Sequence, residues 1–271
     1  MLAPTVLARK QGKPVVVVGG HYDIIYDNLP KPLGMSVRDK LRRSLIQFLL
    51  PQVDRYVTNS DYSAIQARKL PFLPRDRIVR IYHGLPDIAA GYPLAKTNTV
   101  LTVGTVGKYQ IYQKGLAAFV RAASLLPELG FILVGDWQGA AVETLKNWNN
   151  QNVAYTGFVP TQDLYEAMGH ARVYVQASYL EGFGLALAEA MLFQSVPVVT
   201  TGGSLPEVVG DTGLYVPYDD PPATAEAIRE ACACWPIMAP RARDRILSLF
   251  PLERRKAELL ALLESIYQQR H

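Results

Sequence analysis

Cysteine is scarce in this chain of 271 residues, and long apolar runs are missing. The two cysteines, Cys232 and Cys234, are one residue apart, too close for an ordinary disulfide framework and too few for a zinc site. We therefore expect a reducing, cytoplasmic compartment. No stretch of about 18 apolar residues occurs, so the sequence predicts no membrane span. The first ten residues carry their charges after a short apolar stretch, and we expect no signal peptide there.

Motifs of several enzyme classes are also missing. The pair Asp219–Asp220 lacks the Asp-x-Asp spacing of metal-dependent transferases, and no His-x-x-x-His or His-x-Glu pair occurs, so we expect no metal site and no required cofactor. The Gly-x-Ser-x-Gly turn of the α/β hydrolases is absent. A dinucleotide-binding Gly-x-Gly-x-x-Gly is broken because Leu187 stands at its third glycine position, which argues against an oxidoreductase.

Basic residues are concentrated in the first third of the chain. Residues 1–95 hold 14 Lys and Arg against 7 Asp and Glu, whereas the remainder holds 14 against 17. Two interpretations stay open for the dense part before the apolar stretch 45–50: peripheral contact with the inner face of an anionic membrane, or a solvated helix face above a buried apolar one. We expect no nucleic-acid partner, because long basic arms and aromatic-basic RNA-binding motifs are absent. The dense part consists of Arg38, Lys40, Arg42 and Arg43.

Strand-like and helix-like segments alternate along the chain. One predicted helix runs from about Ser36 until Pro51 ends it, and another is capped by Asn59 or Ser60. Residues 86–97 carry the Gly and Pro punctuation of a linker. The alternation predicts an α/β fold with doubly wound parallel sheets. Apolar runs predict its buried strands at residues 15–18, 55–58, 77–82, 99–103, 131–134, 153–156, 173–176, 196–200 and 214–216.

The segment from Glu181 to Glu189 is the most informative part of the sequence. A strand-like run ends at Ala177, a glycine turn at Gly182 and Gly184 follows, and an apolar helix pattern then surrounds Glu189. Glycines at such a turn let a ligand approach the backbone, and a helix N-terminus offers N–H groups to an anion. Glu189 lies roughly 8 Å along the helix from the turn. The segment therefore predicts a hydroxyl acceptor, a phosphate site and a second hydroxyl acceptor in succession.

The same nine residues resemble the Glu-x7-Glu motif of the retaining GT-B glycosyltransferases of family 4. The resemblance covers residues 98–271 closely and residues 12–95 more loosely. It implies a GT-B-like fold with a truncated, acceptor-side Rossmann-like domain in residues 1–92, a nucleotide-sugar-binding Rossmann-like domain in residues 93–249, and a helix in residues 250–271 that packs back on the first domain. Three further segments are similar to the family's strands and glycine turns: residues 153–160, 195–207 and 211–217.

The resemblance also implies roles for single residues. Glu181 would contact hydroxyls of the transferred sugar, Glu189 would accept from the ribose hydroxyls, and Lys114 would grip the diphosphate. The family's arginine position holds Thr105, and Lys108 is expected to face solvent. The remaining donor-binding residues, which would contact the diphosphate and the base largely through backbone atoms, are Gly104, Gly115, Gly157, Phe158, Val159, Phe183, Gly184 and Leu185.

Structural interpretations stay open for some of these residues. Glu189 could be paired with a cation in the core, because buried acids are usually paired. Phe158 could pack in the core. His21 falls one place later than the reactive histidine of the family, so both a catalytic and a structural role stay open. His83 is expected to be structural, and His170 is expected to be a surface residue at a helix end, where it suits the helix dipole.

The motifs and the resemblance together predict a retaining glycosyltransferase of polysaccharide or glycolipid biosynthesis. It would move a hexosyl group from a nucleotide-diphosphate sugar to a saccharide or lipid-linked acceptor, without a metal. In the resembled family, about two further βα units precede the strand at residues 15–18. Three interpretations stay open: the chain is a fragment, its start was lost, or a second polypeptide or a homodimer supplies the missing half. The alternative is a non-catalytic nucleotide-sugar-binding module that needs such a partner. An epimerase of the same fold is disfavoured by the spacing of the two acids.

Overall fold

The computed structural model describes residues 11–19, 44–148 and 151–269. These residues form two compact units. The first comprises the described residues up to Gly84 together with those from Leu252 onward, and the second runs from Leu85 to Pro251. Two sequence features lie outside the described residues: His21 and the basic stretch 38–43.

Strands and helices follow one another along both units, as the sequence pattern predicts. Residues 44–49 are helical and continue into a 3-10 turn at Leu50–Gln52, and a second such turn spans Arg75–Arg77. The other elements are β1 (Val16–Val18), β2 (Arg55–Thr58), α1 (Asp61–Ala67), β3 (Ile78–Arg80), β4 (Thr97–Val103), α2 (Gln110–Gln113), α3 (Leu116–Ala123), β5 (Gly130–Val134), α4 (Ala141–Lys146), β6 (Val153–Gly157), α5 (Thr161–His170), β7 (Ala171–Gln176), α6 (Leu185–Leu192), β8 (Val196–Val199), α7 (Leu205–Val209), β9 (Leu214–Tyr215), α8 (Pro221–Leu249) and α9 (Leu252–Gln268).

The first unit contains a parallel sheet with the order β1-β2-β3. Ser60 caps α1, because its side chain accepts the Ser63 amide hydrogen at 3.0 Å, one of the two caps that the sequence allows. Arg255 of α9 donates to the carbonyl oxygens of Ile81, at 3.3 Å, and Tyr82, at 2.6 Å. These bonds tie the last described helix to the chain that follows β3.

The second unit contains a parallel sheet with the order β6-β5-β4-β7-β8-β9. From β4 the chain builds the sheet outward through β5 and β6, and it then returns to the other side of β4 to add β7, β8 and β9. The order therefore reverses between β4 and β7, which is where open α/β sheets bind their ligands, beyond the carboxyl ends of the strands. The predicted α/β class with parallel sheets is confirmed.

Apolar strands form the core of the second unit. Every residue of β8 is buried, as is typical of parallel strands that are covered on both faces. The ring of Phe119 in α3 meets the ring of Phe131 in β5 edge-to-face, with centroids 5.2 Å apart. Burial of each such side chain contributes about 1.5–3 kcal/mol, so the sheet is well stabilised and fixes the positions from which the loops at its edge start.

Within the described ranges, every helix is too short or too polar to span a membrane.

Candidate active site

The predicted site residues cluster where β4 and β7 end. Lys114 and Gly115 lie in the connection from β4 to α3, and Glu181 lies in the loop between β7 and α6. Because β4 and β7 are neighbouring parallel strands, their carboxyl ends meet at one edge of the sheet. The topology thus brings together side chains that are 67 residues apart in the sequence.

An ion pair joins the β4–α3 connection to the loop between β7 and α6. Lys114 Nζ lies 2.6 Å from Glu181 Oε1. Gly115 allows the β4–α3 connection to lie against the end of β7. Its φ of 67° is left-handed, and a β-carbon there would lie 1.9 Å from the Ala177 carbonyl oxygen. Only glycine fits such a position. The start of α3 therefore rests against the end of β7, with Lys114 within reach of the carboxylate.

Glu181 is held by both its side chain and its backbone. The residue is 7% exposed, and its Oε1 atom accepts from Gln176 Nε2 and from Ser178 Oγ, each at 3.0 Å, as well as from Lys114. Its carbonyl oxygen accepts the Ser204 amide hydrogen at 3.0 Å. A buried carboxylate is costly unless it is paired and hydrogen-bonded, and these contacts meet that requirement.

Helix α6 begins at the end of the same loop. Gly184 has a φ of 90° and provides no side-chain cap, so the first N–H groups of α6 receive no bond from that position. The Phe183 ring points into the core, where it meets the Phe250 ring edge-to-face with centroids 5.2 Å apart, and Leu185 is exposed. The start of the helix thus has the composition and backbone geometry of an anion-binding turn.

Glu189 lies in the second turn of α6 and differs from Glu181 in its surroundings. It is half-buried, and among the described residues nothing forms a hydrogen bond or an ion pair with its carboxylate. Burial raises the pKa of Glu189 above its usual value. Its charge in turn adds to the effect of burial in raising the pKa of the Tyr165 phenol. The ion pair that would explain Glu189 as a core residue is thus not found in the described part of the chain.

A further group of predicted residues lies at the end of β6. Gly157 has a φ of 73°, Phe158 is 81% exposed and Val159 is half-buried. The interpretation of Phe158 as a core residue is therefore wrong. Trp137, in the loop after β5, lies beside Gly157, because a β-carbon on this glycine would be 3.8 Å from the indole ring. In the sheet order β5 separates β6 from β4, so this group lies roughly 10 Å along the same edge.

Gly104 and Lys108 lie in the connection after β4. The Gly104 amide donates to the Val134 carbonyl oxygen at 2.9 Å, and a β-carbon on Gly104 would lie 3.9 Å from the Lys114 side chain. Gly104 therefore belongs to the cluster around the ion pair. Lys108 is exposed, as predicted, and Thr105 is half-buried.

Comparison with known protein families gives this edge of the sheet a context. The family model described as glycosyl transferases group 1 matches residues 98–233, half of the chain. The matched range includes Lys114, Glu181 and Glu189. This chain belongs to the glycosyl transferases group 1 family.

Curated relatives of this group 1 chain include two bacterial enzymes. The chain is 32% identical over 213 residues to O-antigen chain mannosyltransferase B of Escherichia coli, an alignment that covers 73% of this chain and 51% of the relative. It is 30% identical over 176 residues to alpha-maltose-1-phosphate synthase of Mycolicibacterium smegmatis, which covers 56% of this chain and 45% of the relative. The chain thus spans about half the length of the curated relatives it matches.

Solved structures share the fold. Sucrose-phosphate synthase from Thermosynechococcus elongatus superposes with a TM-score of 0.80 at 21% identity, covering 97% of this chain and 71% of that chain. HepE from Anabaena, solved in complex with UDP and glucose, superposes with a TM-score of 0.78 at 16% identity, covering 97% of this chain and 75% of that chain. The predicted GT-B-like fold class is confirmed by these likenesses.

Two histidines of the group 1 chain, His83 and His170, lie within the described residues. His83 belongs to the first unit, where its Nε2 atom lies 3.1 Å from Asn59 Nδ2. Burial, with the nearby Arg255 charge, lowers the pKa of His83 to about 4. His170 is exposed, and its Nδ1 atom lies 2.9 Å from the Ala95 carbonyl oxygen. The His83 contact is compatible with the structural role predicted for it, and His170 lies at the exposed end of α5, as predicted.

No metal cluster marks this edge in the described residues. No three His, Cys, Asp or Glu side chains of the described ranges are grouped closely enough to hold a metal ion. A shallow depression lies instead at the amino ends of β4, β5 and β6, between Thr99, Phe131 and Val153. It includes none of the candidate residues and lies at the opposite ends of the strands, so we give it no role in the site.

Three residues at this edge were not singled out in the sequence. Gln176 and Ser178 bond to Glu181, and Trp137 lies beside Gly157. The sequence carries a signal for Gln176 and Ser178, because they are polar residues at the carboxyl end of a buried parallel strand. Such residues lie at the edge of the sheet where ligands bind. Their bonding to one particular oxygen atom depends on the turn after β7, which the sequence does not reveal.

Proposed function

We propose that the second unit binds a nucleotide-diphosphate sugar and that the protein transfers its hexosyl group, with retention of anomeric configuration, to a saccharide or lipid-linked acceptor. The observation that carries this proposal is a combination found within the nine residues from Glu181 to Glu189: an ion-paired acid, a helix start without a side-chain cap, and an acid that has no partner among the described residues. Each part suits one portion of such a donor.

The diphosphate of the donor would lie against the start of α6. The first N–H groups of this helix and the Lys114 ammonium supply positive charge from two sides of the same edge. Lys114 remains close to Glu181, and a lysine is suited to a phosphate because its charge is compact and its stem is flexible. The proposal needs no metal ion at this position.

The two acids would bind the portions on either side of the diphosphate. Glu181 would accept from a hydroxyl of the transferred sugar, and Glu189, in the second turn of α6, would accept from the ribose hydroxyls. The base would then extend along the edge toward Gly157, Phe158 and Val159, where an exposed aromatic ring and a glycine backbone are available. In this proposal the donor-binding residues would follow the order of the parts of the donor.

Transfer would break the bond between the anomeric carbon and the diphosphate while the acceptor oxygen bonds to the same face of the sugar. The acceptor hydroxyl proton would pass to the departing diphosphate oxygen. Lys114 and the α6 amides would stabilise the negative charge that develops there, and a well-placed donor of this kind contributes ~3–4 kcal/mol. Every atom of the step comes from donor and acceptor, and the protein supplies position and charge.

The relatives support the class of substrate. One is named as a mannosyltransferase of the O-antigen chain, and HepE was solved with UDP and glucose. From these relatives we propose an acceptor that is a saccharide or is linked to a lipid. The protein would meet its acceptor in the cytoplasm, and it would meet a lipid-linked acceptor at the inner face of an anionic membrane. We also propose that the acceptor contacts residues outside the second unit, and that a second polypeptide or a second copy of this chain supplies them.

Calorimetric titration tests the proposal directly. The purified chain is titrated with UDP-glucose, ADP-glucose and GDP-mannose, with and without EDTA, and each mixture is then assayed for sugar release or transfer to saccharide acceptors. We expect saturable binding of one donor that EDTA does not change, with slow donor hydrolysis. Absence of binding to any nucleotide sugar would contradict the proposal, and binding with no turnover would favour the non-catalytic module instead.

A further inference from the structure

The two oxygen atoms of the Glu181 carboxylate are used unequally. Oε1 accepts from three donors: Lys114 Nζ at 2.6 Å, Gln176 Nε2 at 3.0 Å and Ser178 Oγ at 3.0 Å. Among the described residues, no group donates to Oε2. An ionised carboxylate has about four acceptor positions divided between its two oxygens, so Oε1 is filled and Oε2 retains its capacity.

The donors to Oε1 are themselves fixed by further hydrogen bonds. The Gln176 amide nitrogen also lies 2.7 Å from Ser178 Oγ, and the Gln176 carbonyl oxygen accepts from the Tyr174 hydroxyl at 3.1 Å. Gln176 thus uses both N–H groups and its oxygen, and Ser178 is left to donate its hydroxyl to Glu181. Tyr174 and Ser178 are fully buried and Gln176 is 4% exposed. Water therefore has little access to replace these bonds.

The network allows only one orientation of the Gln176 amide. If the amide were reversed, its oxygen would face Glu181 Oε1 and the Ser178 oxygen, and its nitrogen would face the Tyr174 hydroxyl. The carboxylate would then lose a donor and gain a repulsive contact inside a buried site, which costs more than the same change in water. The arrangement holds the carboxylate plane in one direction.

We propose that Tyr174, Gln176 and Ser178 are positioning residues, which hold Glu181 so that Oε2 alone faces the transferred sugar and accepts one of its hydroxyl hydrogens. This inference rests on the proposed function, because it names the part of the donor that Glu181 recognises. A site residue whose rotamer is fixed by supporting hydrogen bonds holds its ligand more precisely than one that is free to turn. Oε2 can accept but not donate, so the matching group on the sugar is a hydroxyl.

Separate titrations with the nucleoside diphosphate and with the matching nucleotide sugar test this role. The probe pair is UDP and UDP-glucose, ADP and ADP-glucose, or GDP and GDP-mannose, whichever sugar the wild-type chain binds. Ser178→Ala and Gln176→Met each remove one donor to Oε1 and keep Glu181. We expect the Kd of the nucleotide sugar to rise about tenfold, the loss of one hydrogen bond to a charged group, while the Kd of the diphosphate changes less than twofold.

Thr102→Val is the matched control. Thr102 is 2% exposed and donates to the Val175 carbonyl oxygen at 2.8 Å, so its loss removes a buried hydrogen bond between β4 and β7 without touching Glu181. We expect this variant to lose stability and to keep both Kd values. Tyr174→Phe removes a single hydroxyl at the far end of the network and should raise only the nucleotide-sugar Kd, by two- to threefold, which provides a second test if Ser178→Ala does not fold.

Two outcomes would overturn the positioning role while donor binding stands. In the first, folded Ser178→Ala, Gln176→Met and Tyr174→Phe keep both Kd values of the wild type. In the second, both Kd values rise by the same factor, as a general loss of structure would cause. If the wild-type chain binds no nucleotide sugar at all, the proposed function and this inference fail together, a result that is distinct from either of the others.

Discussion

The carboxylates of Glu181 and Glu189 lie at the two ends of one loop-and-helix segment, yet their surroundings differ. Glu181 is almost fully enclosed and accepts from an ammonium, an amide and a hydroxyl. Glu189 is half-buried, and no described residue bonds to its carboxylate. Burial alone raises the pKa of Glu189.

The difference indicates two ways of keeping an acid at a binding site. At Glu181 the protein offsets the cost of burial with its own partners, so the acid belongs to the fold as well as to the site. At Glu189 the cost is not offset by any described partner, and a ligand that donates hydrogen bonds would offset it. Substitutions at the Glu181 end should therefore lower stability as well as donor binding, whereas substitution of Glu189 should lower affinity alone.

Removal of the Lys114 charge should have the largest effect on stability. In Lys114→Met the buried Glu181 carboxylate loses its ammonium partner, and breaking a buried pair in this way costs about 3 kcal/mol or more. Urea unfolding of the chain gives the free energy of unfolding. Lys146→Met is the control, because Lys146 pairs with Glu143 at the surface and a pair of that kind contributes roughly 0.5 kcal/mol. Equal losses of unfolding free energy in Lys114→Met and Lys146→Met would contradict the stabilising role assigned to the partners of Glu181.

Substitution of Glu189 should act on affinity instead. Glu189→Gln keeps the shape of the side chain but accepts weakly, and the loss of a hydrogen bond to a charged acceptor weakens binding by about 1.5–3 kcal/mol. We expect the Kd of the bound nucleotide to rise at least tenfold, while urea unfolding shows no loss of stability. An unchanged Kd in calorimetry would count against the assignment of Glu189 to the ribose.

The raised pKa of Glu189 predicts opposite effects of pH on stability and on binding. Since the folded chain holds the Glu189 proton more tightly than the unfolded chain, the contribution of Glu189 to stability is present at low pH and is lost as pH rises through its folded pKa. Nucleotide affinity should instead fall as pH falls through this pKa, because the ionised carboxylate is the better acceptor. Titrations of wild type and Glu189→Gln between pH 4 and 7, each on a folded sample, should show this acid-side loss in wild type only.

Phe158 should give the smallest effect. Its ring is 81% exposed, so Phe158→Ala should change the free energy of unfolding by less than about 0.5 kcal/mol. If the base stacks on this ring, the nucleotide Kd should rise about fivefold, at the lower end of the effect of removing a stacked aromatic side chain. Ile237→Ala, which removes another exposed apolar side chain of the same unit, should leave the Kd unchanged. A Kd as low in Phe158→Ala as in wild type would place the base elsewhere.

The fold followed closely from the sequence, because the strands of the second unit have apolar centres with Gly or Pro near their ends. The predicted strand at residues 55–58 has the observed bounds, and that at residues 173–176 begins two residues later than the observed β7 (Ala171–Gln176). The largest shortfall is at residues 77–82, where the structure has only Ile78–Arg80. The hydrophobic pattern of the sequence identifies the apolar centre of a strand, whereas the ends of the strand depend on hydrogen bonds to the neighbouring strand.

The site was predictable as a set of residues but not as a set of contacts. Spacing and resemblance identified Lys114, Glu181 and Glu189, yet they did not indicate that the first two pair with each other. The pairing depends on the neighbouring positions of β4 and β7 and on the close contact at Gly115, both of which are properties of the folded sheet. The exposure of Phe158 was equally out of reach, because an aromatic residue after a strand fits a core and a binding edge alike.

The bond from the Ser204 amide to the Glu181 carbonyl oxygen has a consequence for local dynamics. It fastens the backbone of the Glu181 loop to the start of α7, while the side chain of the same residue is fastened to the end of β7. The loop cannot swing out by itself, since opening it requires both anchors to break in a single event. Hydrogen exchange at the Ser204 amide should accordingly be as slow as in the central strands, unlike the rapid exchange of a loop that opens independently.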